Sequence, residues 1–213
     1  VNHTLDMFID SNLRIYGEIL QEVSHHLLSK SGLMEDVKKI QSHPHALAQC
    51  RNWLEANLPH VPTVEVASTA RAAEMCVDDQ ASAAIASELA GQLYGLKVIK
   101  ARIEDNLNNF TRFLVLSQKP SEQTGKDKTS LMLSVKDKVG ALYDLLRPFA
   151  SYGISMTKIE SRPTKKVLGD YLFYIDLKGH VEDKMIKDAL DRIERKVGML
   201  KILGSYPIAK FYL

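Results

Sequence analysis

Cysteine is scarce: the 213 residues hold two, Cys50 and Cys76. Both fall in helix-like apolar stretches. One disulfide is possible, but two buried reduced thiols are the expected state, and a disulfide-stapled scaffold is excluded. Long apolar runs are missing too. None approaches the roughly 20 residues that a membrane span needs, so no membrane partner is expected. Charge of one sign is also absent, with 28 Lys and Arg against 26 Asp and Glu and a net charge of +2. That balance gives no electrostatic reason to expect nucleic acid. No phosphate loop or dinucleotide fingerprint occurs, since Gly91 to Gly95 has the wrong spacing and follows no strand. His25-His26 and His43-x-His45 lack a supporting Cys or carboxylate cluster at ligand spacing, so no metal is expected. No signal peptide opens the chain, and a cytoplasmic location is the expectation.

What is present is a globular composition, 45% hydrophobic and 25% charged, divided by one polar stretch. Ser117 to Lys128 carries Pro and Gly without apolar periodicity and reads as a linker between residues 1–116 and 129–213. The first part looks α/β. Arg14 to Leu28 reads as one long strand, followed by strands at Lys39–Gln41, Thr63–Ala67, Ala83–Ala86, Lys97–Arg102 and Thr111–Leu116. Helices are expected at Pro44–Asn57, Thr69–Val77 and Ser87–Tyr94. This alternation predicts a parallel sheet with helical crossovers. The second part has the order βαββαβ, a ferredoxin-like arrangement. Its first helix, Gly140 to Ser151, contains Pro148 and is expected to kink or end early there. Tyr171, Phe173, Ile175 and Leu177 alternate as one face of a strand.

Two places in the first part could carry chemistry. Three helix starts, Ser42-His43-Pro44, Ser68-Thr69 and Ser87-Glu88, follow strands directly. In a parallel sheet they gather at the carboxyl ends, where backbone N–H groups favour a carboxylate or phosphate. The competing reading is that these residues are only caps. The second place is Asn108-Asn109-Phe110-Thr111-Arg112-Phe113, a polar cluster entering an apolar strand, which by itself reads as an ordinary turn.

At these residues the sequence resembles the prephenate dehydratases. The resemblance is carried by Ser42-His43-Pro44-x-Ala46-Leu47-Ala48-Gln49-Cys50, Ser68-Thr69-Ala70, Tyr94-Gly95-Leu96, Ile103-Glu104-Asp105 and Asn109-x-Thr111-Arg112-Phe113. In the second part Gly140-Ala141-Leu142 and Glu160-Ser161-Arg162-Pro163 resemble the ACT domain of those enzymes, a small regulatory module that binds amino acids. The resemblance implies an α/β lobe of a type-2 periplasmic-binding-like catalytic domain, joined to a ferredoxin-like βαββαβ (ACT) domain. Family members also carry a first lobe ahead of the point where this sequence starts, contributing an active-site Asn. The expectation is therefore that one wall of the active site lies outside the sequence.

The chemistry that the resemblance implies is loss of CO2 and water from prephenate, giving phenylpyruvate. Aromatisation drives the reaction, so no cofactor is called for. Thr111 would assist the departing hydroxyl through a hydrogen bond or relay. Ser42 and Gln49 would contact the substrate, with Ser68 and Thr69 near a carboxylate. Arg112 would pair with a substrate carboxylate or hold the cleft together. Phenylalanine would bind as allosteric effector at Gly140, Ala141, Leu142, Glu160, Ser161 and Arg162, in a homodimer or homotetramer. Arogenate dehydratase, a non-catalytic phenylalanine-binding fragment and a periplasmic solute-binding protein are the alternatives.

Overall fold

The computed structural model describes residues 7–107, 109–163 and 170–209; Asn108 of the expected polar cluster lies outside the described residues. The chain divides into two compact units. One is Gln21–Thr111; the other joins residues up to Leu20 with those from Arg112 onward. Compactness therefore divides the chain elsewhere than at the polar stretch, although that stretch does separate strands that end at Ser117 and begin at Asp127.

In the Gln21–Thr111 unit, β2 (His26–Ser29), β3 (Lys39–Ser42), β4 (Thr63–Glu65), β5 (Ser82–Ala86) and β6 (Lys97–Lys100) form a five-stranded sheet in the order β4-β3-β5-β2-β6. β3 runs parallel to β4 and β5, while β2 is antiparallel to both β5 and β6. The expected parallel sheet is thus corrected to a mixed one in which β2 alone is inverted. The error traces to Arg14–Leu28, expected as one strand. The chain instead makes β1 (Arg14–Glu22), breaks, and resumes as β2. At the break the His25 N–H is taken by the Glu104 carboxylate at 2.9 Å and the His25 carbonyl by Ile103 N–H. These long-range partners turn the backbone out of one ladder and into another.

The helices α1 (Pro44–Gln49), α2 (Arg51–Asn57), α3 (Thr69–Met75) and α4 (Glu88–Tyr94) complete this unit. The expected helix Pro44–Asn57 is two helices, interrupted at Cys50 with φ −112° and ψ 12°. The second needs its own N-terminal acceptors, which a distant residue supplies: Asp105 accepts from the N–H groups of Asn52 and Trp53. Leu27, Ile40, Ala46, Cys50, Leu54, Ala83, Ile85 and Ile103 form one buried core of the sheet, and Leu28, Ala72, Ala73, Cys76, Ala84 and Ala86 another.

In the other unit, β8 (Asp127–Lys136), α5 (Ala141–Ser151), β9 (Met156–Pro163), β10 (Asp170–Lys178), α6 (Lys184–Glu194) and β11 (Met199–Pro207) give the ferredoxin-like order. The sheet is antiparallel throughout, ordered β11-β8-β10-β9. α5 runs through Pro148 to Ser151 rather than ending there. Leu145, Phe149, Ile186, Ala189, Leu190 and Ile193 of the two helices pack on Leu131, Leu133, Phe173, Ile175 and Leu177. The opposite face is covered as well. Met132, Leu172, Tyr174, Leu203 and Tyr206 bury against Phe8 and Ile15, with Leu114 of β7 (Phe110–Ser117) packed on them. β1 and β7 pair as a two-stranded sheet. This shared apolar layer draws β1 and β7 into the C-terminal unit.

Candidate active site and effector site

Because β3, β4 and β5 are parallel, their carboxyl ends share one edge, where Ser42, Ser68-Thr69 and Ser87 follow. The side chains there serve mainly the helices. Ser68 Oγ accepts from Arg71 N–H at 3.0 Å, Ser87 Oγ from Ala90 N–H at 3.3 Å, and His43 Nδ1 from His45 N–H at 3.2 Å. Ser68 stays exposed and Thr69 half-buried. Ser42 is fully buried and donates to the Ile85 carbonyl at 2.6 Å. Its hydroxyl ties β3 to β5.

Gln49, the last residue of α1, is better placed. With Ala48, Glu104, Asp105, Asn106 and Asn109 it lines a cavity of about 180 Å³. His25 Nε2 lies 2.7 Å from Gln49 Oε1. A carbonyl oxygen can only accept, so Nε2 carries the proton and donates. Asp105 N–H donates to the Gln49 carbonyl at 2.7 Å, while the Asp105 carboxylate caps α2. Gln49 is thus held at both side chain and backbone. Asn109, on the cavity wall, is two residues before Thr111, which is exposed on β7. Alternation along the strand turns Thr111 away from Arg112 and Leu114, which face inward. The structure therefore brings Gln49 and Asn109 to one cavity close in sequence to Thr111, while Ser42, Ser68 and Thr69 follow the carboxyl ends of the neighbouring strands and do not line it. Composition and periodicity passed over His25, Glu104 and Asp105 as supporting groups. The signal available was a buried-looking histidine and two adjacent carboxylates with no helical or strand pattern around them.

Two groups in this region are chemically quiet. Burial, with Glu104 and Asp105 nearby, pushes the Cys50 thiol up to about 12. Burial pushes the Cys76 thiol up to about 11. Neither is a ready nucleophile, since the thiolate is the reactive form. Among the described residues no three His, Cys, Asp or Glu side chains converge to hold a metal ion.

Arg112 pairs with carboxylates of the chain itself. Its Nε lies 2.6 Å from Glu18 and its Nη1 2.6 Å from Asp176, and Nη2 donates to the Tyr206 hydroxyl at 2.5 Å. Of its two expected roles, the geometry supports holding the structure together.

In the ACT-type sheet, Gly140 caps α5 with φ 79°, a left-handed conformation that costs a residue with a Cβ, and nothing crowds the position. Ala141 is half-buried and Leu142 exposed. β9 is an edge strand. Its register pairs Glu160 with Tyr174, Ser161 with Phe173 and Arg162 with Leu172. Side chains of paired residues share a face, so Ser161 lies on the helix-covered side and Glu160 and Arg162 on the other. The expected frame of three consecutive side chains is thus split between two faces. Glu160 and Arg162 pair with each other, Nε to Oε1 at 2.9 Å. Arg162, then Lys158, hold the Glu160 carboxyl below the usual carboxylate range.

An α/β lobe of the type-2 periplasmic-binding kind and a ferredoxin-like sheet with a glycine-capped helix beside an edge strand define the class of the chain as a two-part α/β protein. The family model for prephenate dehydratase matches residues 1–121, and that for the ACT domain residues 129–195. The chain belongs to the prephenate dehydratase family. It is 50% identical over 209 residues to a bifunctional chorismate mutase/prephenate dehydratase of Aquifex aeolicus, covering 98% of this chain and 58% of that relative. The chain thus spans little more than half the length of such curated relatives. Among solved structures it resembles a prephenate dehydratase from Arthrobacter aurescens in complex with L-Phe, with 39% identity and a TM-score of 0.85. That match covers 97% of this chain and 70% of the other. It also resembles a protein described as a novel type of quorum quenching acylase, with 33% identity and a TM-score of 0.79, covering 92% of this chain and 73% of the other. No described helix is long and apolar enough to cross a membrane.

Proposed function

We propose that the chain is the part of a prephenate dehydratase that carries Thr111 and the effector module, converting prephenate to phenylpyruvate with loss of CO2 and water. The observation that carries this reading is the braced Gln49 beside Asn109, two residues from Thr111. A ring hydroxyl leaves more readily when a fixed hydroxyl donates to it, because the donor is aligned with charge that develops only in the transition state. Thr111 fills that role, exposed and opposite to the anchored Arg112. Gln49, held by His25, positions the substrate, and the hydroxyls of Ser68 and Thr69 lie near a substrate carboxylate. Phenylalanine binds at the turn of Gly140-Ala141-Leu142 and along the edge strand at Glu160-Ser161-Arg162, in a homodimer or homotetramer in the cytoplasm. Support for the effector comes from the L-Phe complex of the Arthrobacter aurescens relative.

The test is turnover of prephenate and arogenate side by side by the protein with the family's first lobe restored, with an acyl-amide substrate as a third arm. Phenylpyruvate formation from prephenate is expected there, and negligible formation from the 213 residues alone. Thr111→Ala should lower kcat by roughly 10²–10³, the scale of one lost transition-state donor, and Thr111→Ser less. A folded Ala variant working at the parent rate, or hydrolysis of the amide alone, would overturn the reading.

A further inference from the structure

The densest set of buried charges in the unit that contains the ACT-type sheet surrounds Arg112. Glu18 of β1 has a side chain 0% exposed and lies between Arg112 and Lys128, the latter donating at 2.8 and 3.0 Å. Asp176 of β10 takes Arg112 on Oδ2 and the Ser130 hydroxyl on Oδ1. Ser130 and Tyr206 are within 2.5 Å of each other, closing the ring. We infer that Asp176 and Glu18 are positioning residues for Thr111, and that Asp176 transmits to it the state of the edge strand β9. The inference rests on the dehydratase reading above.

Three features carry it. Arg112 follows Thr111 directly in the chain, so whatever fixes the Arg112 backbone fixes the residue that meets the substrate. The guanidinium is a planar fork that hydrogen-bonds Asp176 and Tyr206 and ion-pairs with Glu18; shifting one carboxylate must rotate or translate the whole group. Asp176 stands on the strand that pairs with β9 from Tyr171 to Leu177, opposite Lys158 and two residues from the Tyr174–Glu160 pair. The ladder is irregular at Asp176/Leu177. A ligand that draws β9 into a new position therefore acts on a strand whose register is already interrupted at the residue holding Arg112. A joint with no role beyond cohesion would be served at lower desolvation cost by apolar side chains, which already surround it at Met132, Leu172 and Leu203. Binding at β9 changes the site only if its two states differ in affinity for the effector. The ring supplies such a difference, because an arginine fork either meets Asp176 or does not.

Hydrogen exchange and calorimetry on the 213-residue chain, with and without phenylalanine, test this, beside turnover assays on the protein with the family's first lobe restored. In the parent, phenylalanine is expected to change exchange in residues 110–117. Asp176→Asn keeps the shape and removes the charge. It should still bind phenylalanine with unchanged affinity but lose that response. Its inhibition by phenylalanine should weaken about tenfold, within the usual range of coupling between sites, with KM for prephenate unchanged. Asp176→Glu should restore part of the response. Should Asp176→Asn fail to fold, Arg112→Lys, which keeps a cation and loses the fork, should give the same pattern. A variant that binds phenylalanine and transmits it to residues 110–117 like the parent overturns the inference and leaves the dehydratase reading intact. A parent that binds no phenylalanine overturns the effector part of that reading, and the inference with it.

Discussion

Replacing Gly204 with alanine should destabilise the packing of β1 on the sheet that it covers. Gly204 sits where β11 shifts register against β8, between Ile202 and Gly204. A Cβ built there falls 2.1 Å from the carbonyl oxygen of Ile15 and 2.9 Å from its carbonyl carbon and nitrogen. A flexible side-chain tip would step aside, but these are backbone atoms of a strand whose Ile15 is 2% exposed. Two responses are open. The strand stays and the core is overpacked, at about 1–3 kcal/mol or more. Otherwise β1 lifts and Ile15 loses its burial, at about 1.5–3 kcal/mol for one large aliphatic side chain. The cheaper response still costs about 2 kcal/mol, which lowers Tm by about 8 °C for a unit of this size. Circular dichroism melting would read the shift, and hydrogen exchange in residues 12–20 would show which response occurred. A Gly204→Ala protein melting within about 2 °C of the parent, with unaltered exchange in β1, would refute the reasoning.

Glu18 gives a prediction in pH. Burial alone would raise its carboxyl, but Lys128, the Ala209 N–H and Arg112 hold it below the usual carboxylate range. A depressed folded-state value stabilises the fold above the unfolded value of about 4.3, and that contribution is lost as pH falls through the folded one. Glu18→Gln should therefore flatten the acid limb of the stability curve and cost about 3–5 kcal/mol at pH 7; denaturation series from pH 7 to 3 with parallel limbs would contradict it. His25→Phe removes the donor to Gln49 and should lower kcat/KM for prephenate about tenfold, the equivalent of one hydrogen bond, with little change in melting. An unchanged kcat/KM would make the brace irrelevant to binding. Both thiols should resist modification in the folded protein at pH 8 and react on unfolding, since each is buried and its pKa raised; rapid native labelling would argue for opening around Cys50 or Cys76.

The ferredoxin-like part was legible because its pattern is local: the alternation in β10 and the stripes of α5 and α6 each announce one element, and the antiparallel order follows. Even there, alternation suggested a sheet with one covered face, whereas Leu172, Tyr174 and Asp176 are also buried because β1 and β7 lie over them. The α/β part misled where distant residues decide the backbone. Nothing in Arg14–Leu28 marks a break at His25, because Glu104 and Ile103 impose it. Nothing at Cys50 marks two helices, because Asp105 caps the second. For the site, Thr111 and Gln49 stood out only through resemblance; a threonine in an Asn-rich turn has no pattern of its own. Ser42 and Arg112 have partners that no local pattern announces: Ser42 donates to the Ile85 carbonyl, and Arg112, for which a structural role was one of two expectations, meets Glu18 and Asp176.

The covering of the ACT-type sheet by β1 also has a temporal side. Lys201 Nζ donates to the carbonyl of Phe8 at 2.7 Å and of Ser11 at 2.8 Å, the first across 193 residues of chain. A ribosome adding about 5–20 residues per second needs about 10–40 s to make that stretch. Until β8 and β10 are made, Phe8 and Ile15 have no sheet to bury against, although the whole Gln21–Thr111 unit has by then been synthesised. β1 thus gains its strand partner when β7 emerges, but its apolar face is fully covered only when β11 does, and until then the nascent chain presents that face to whatever chaperone or neighbouring chain it meets.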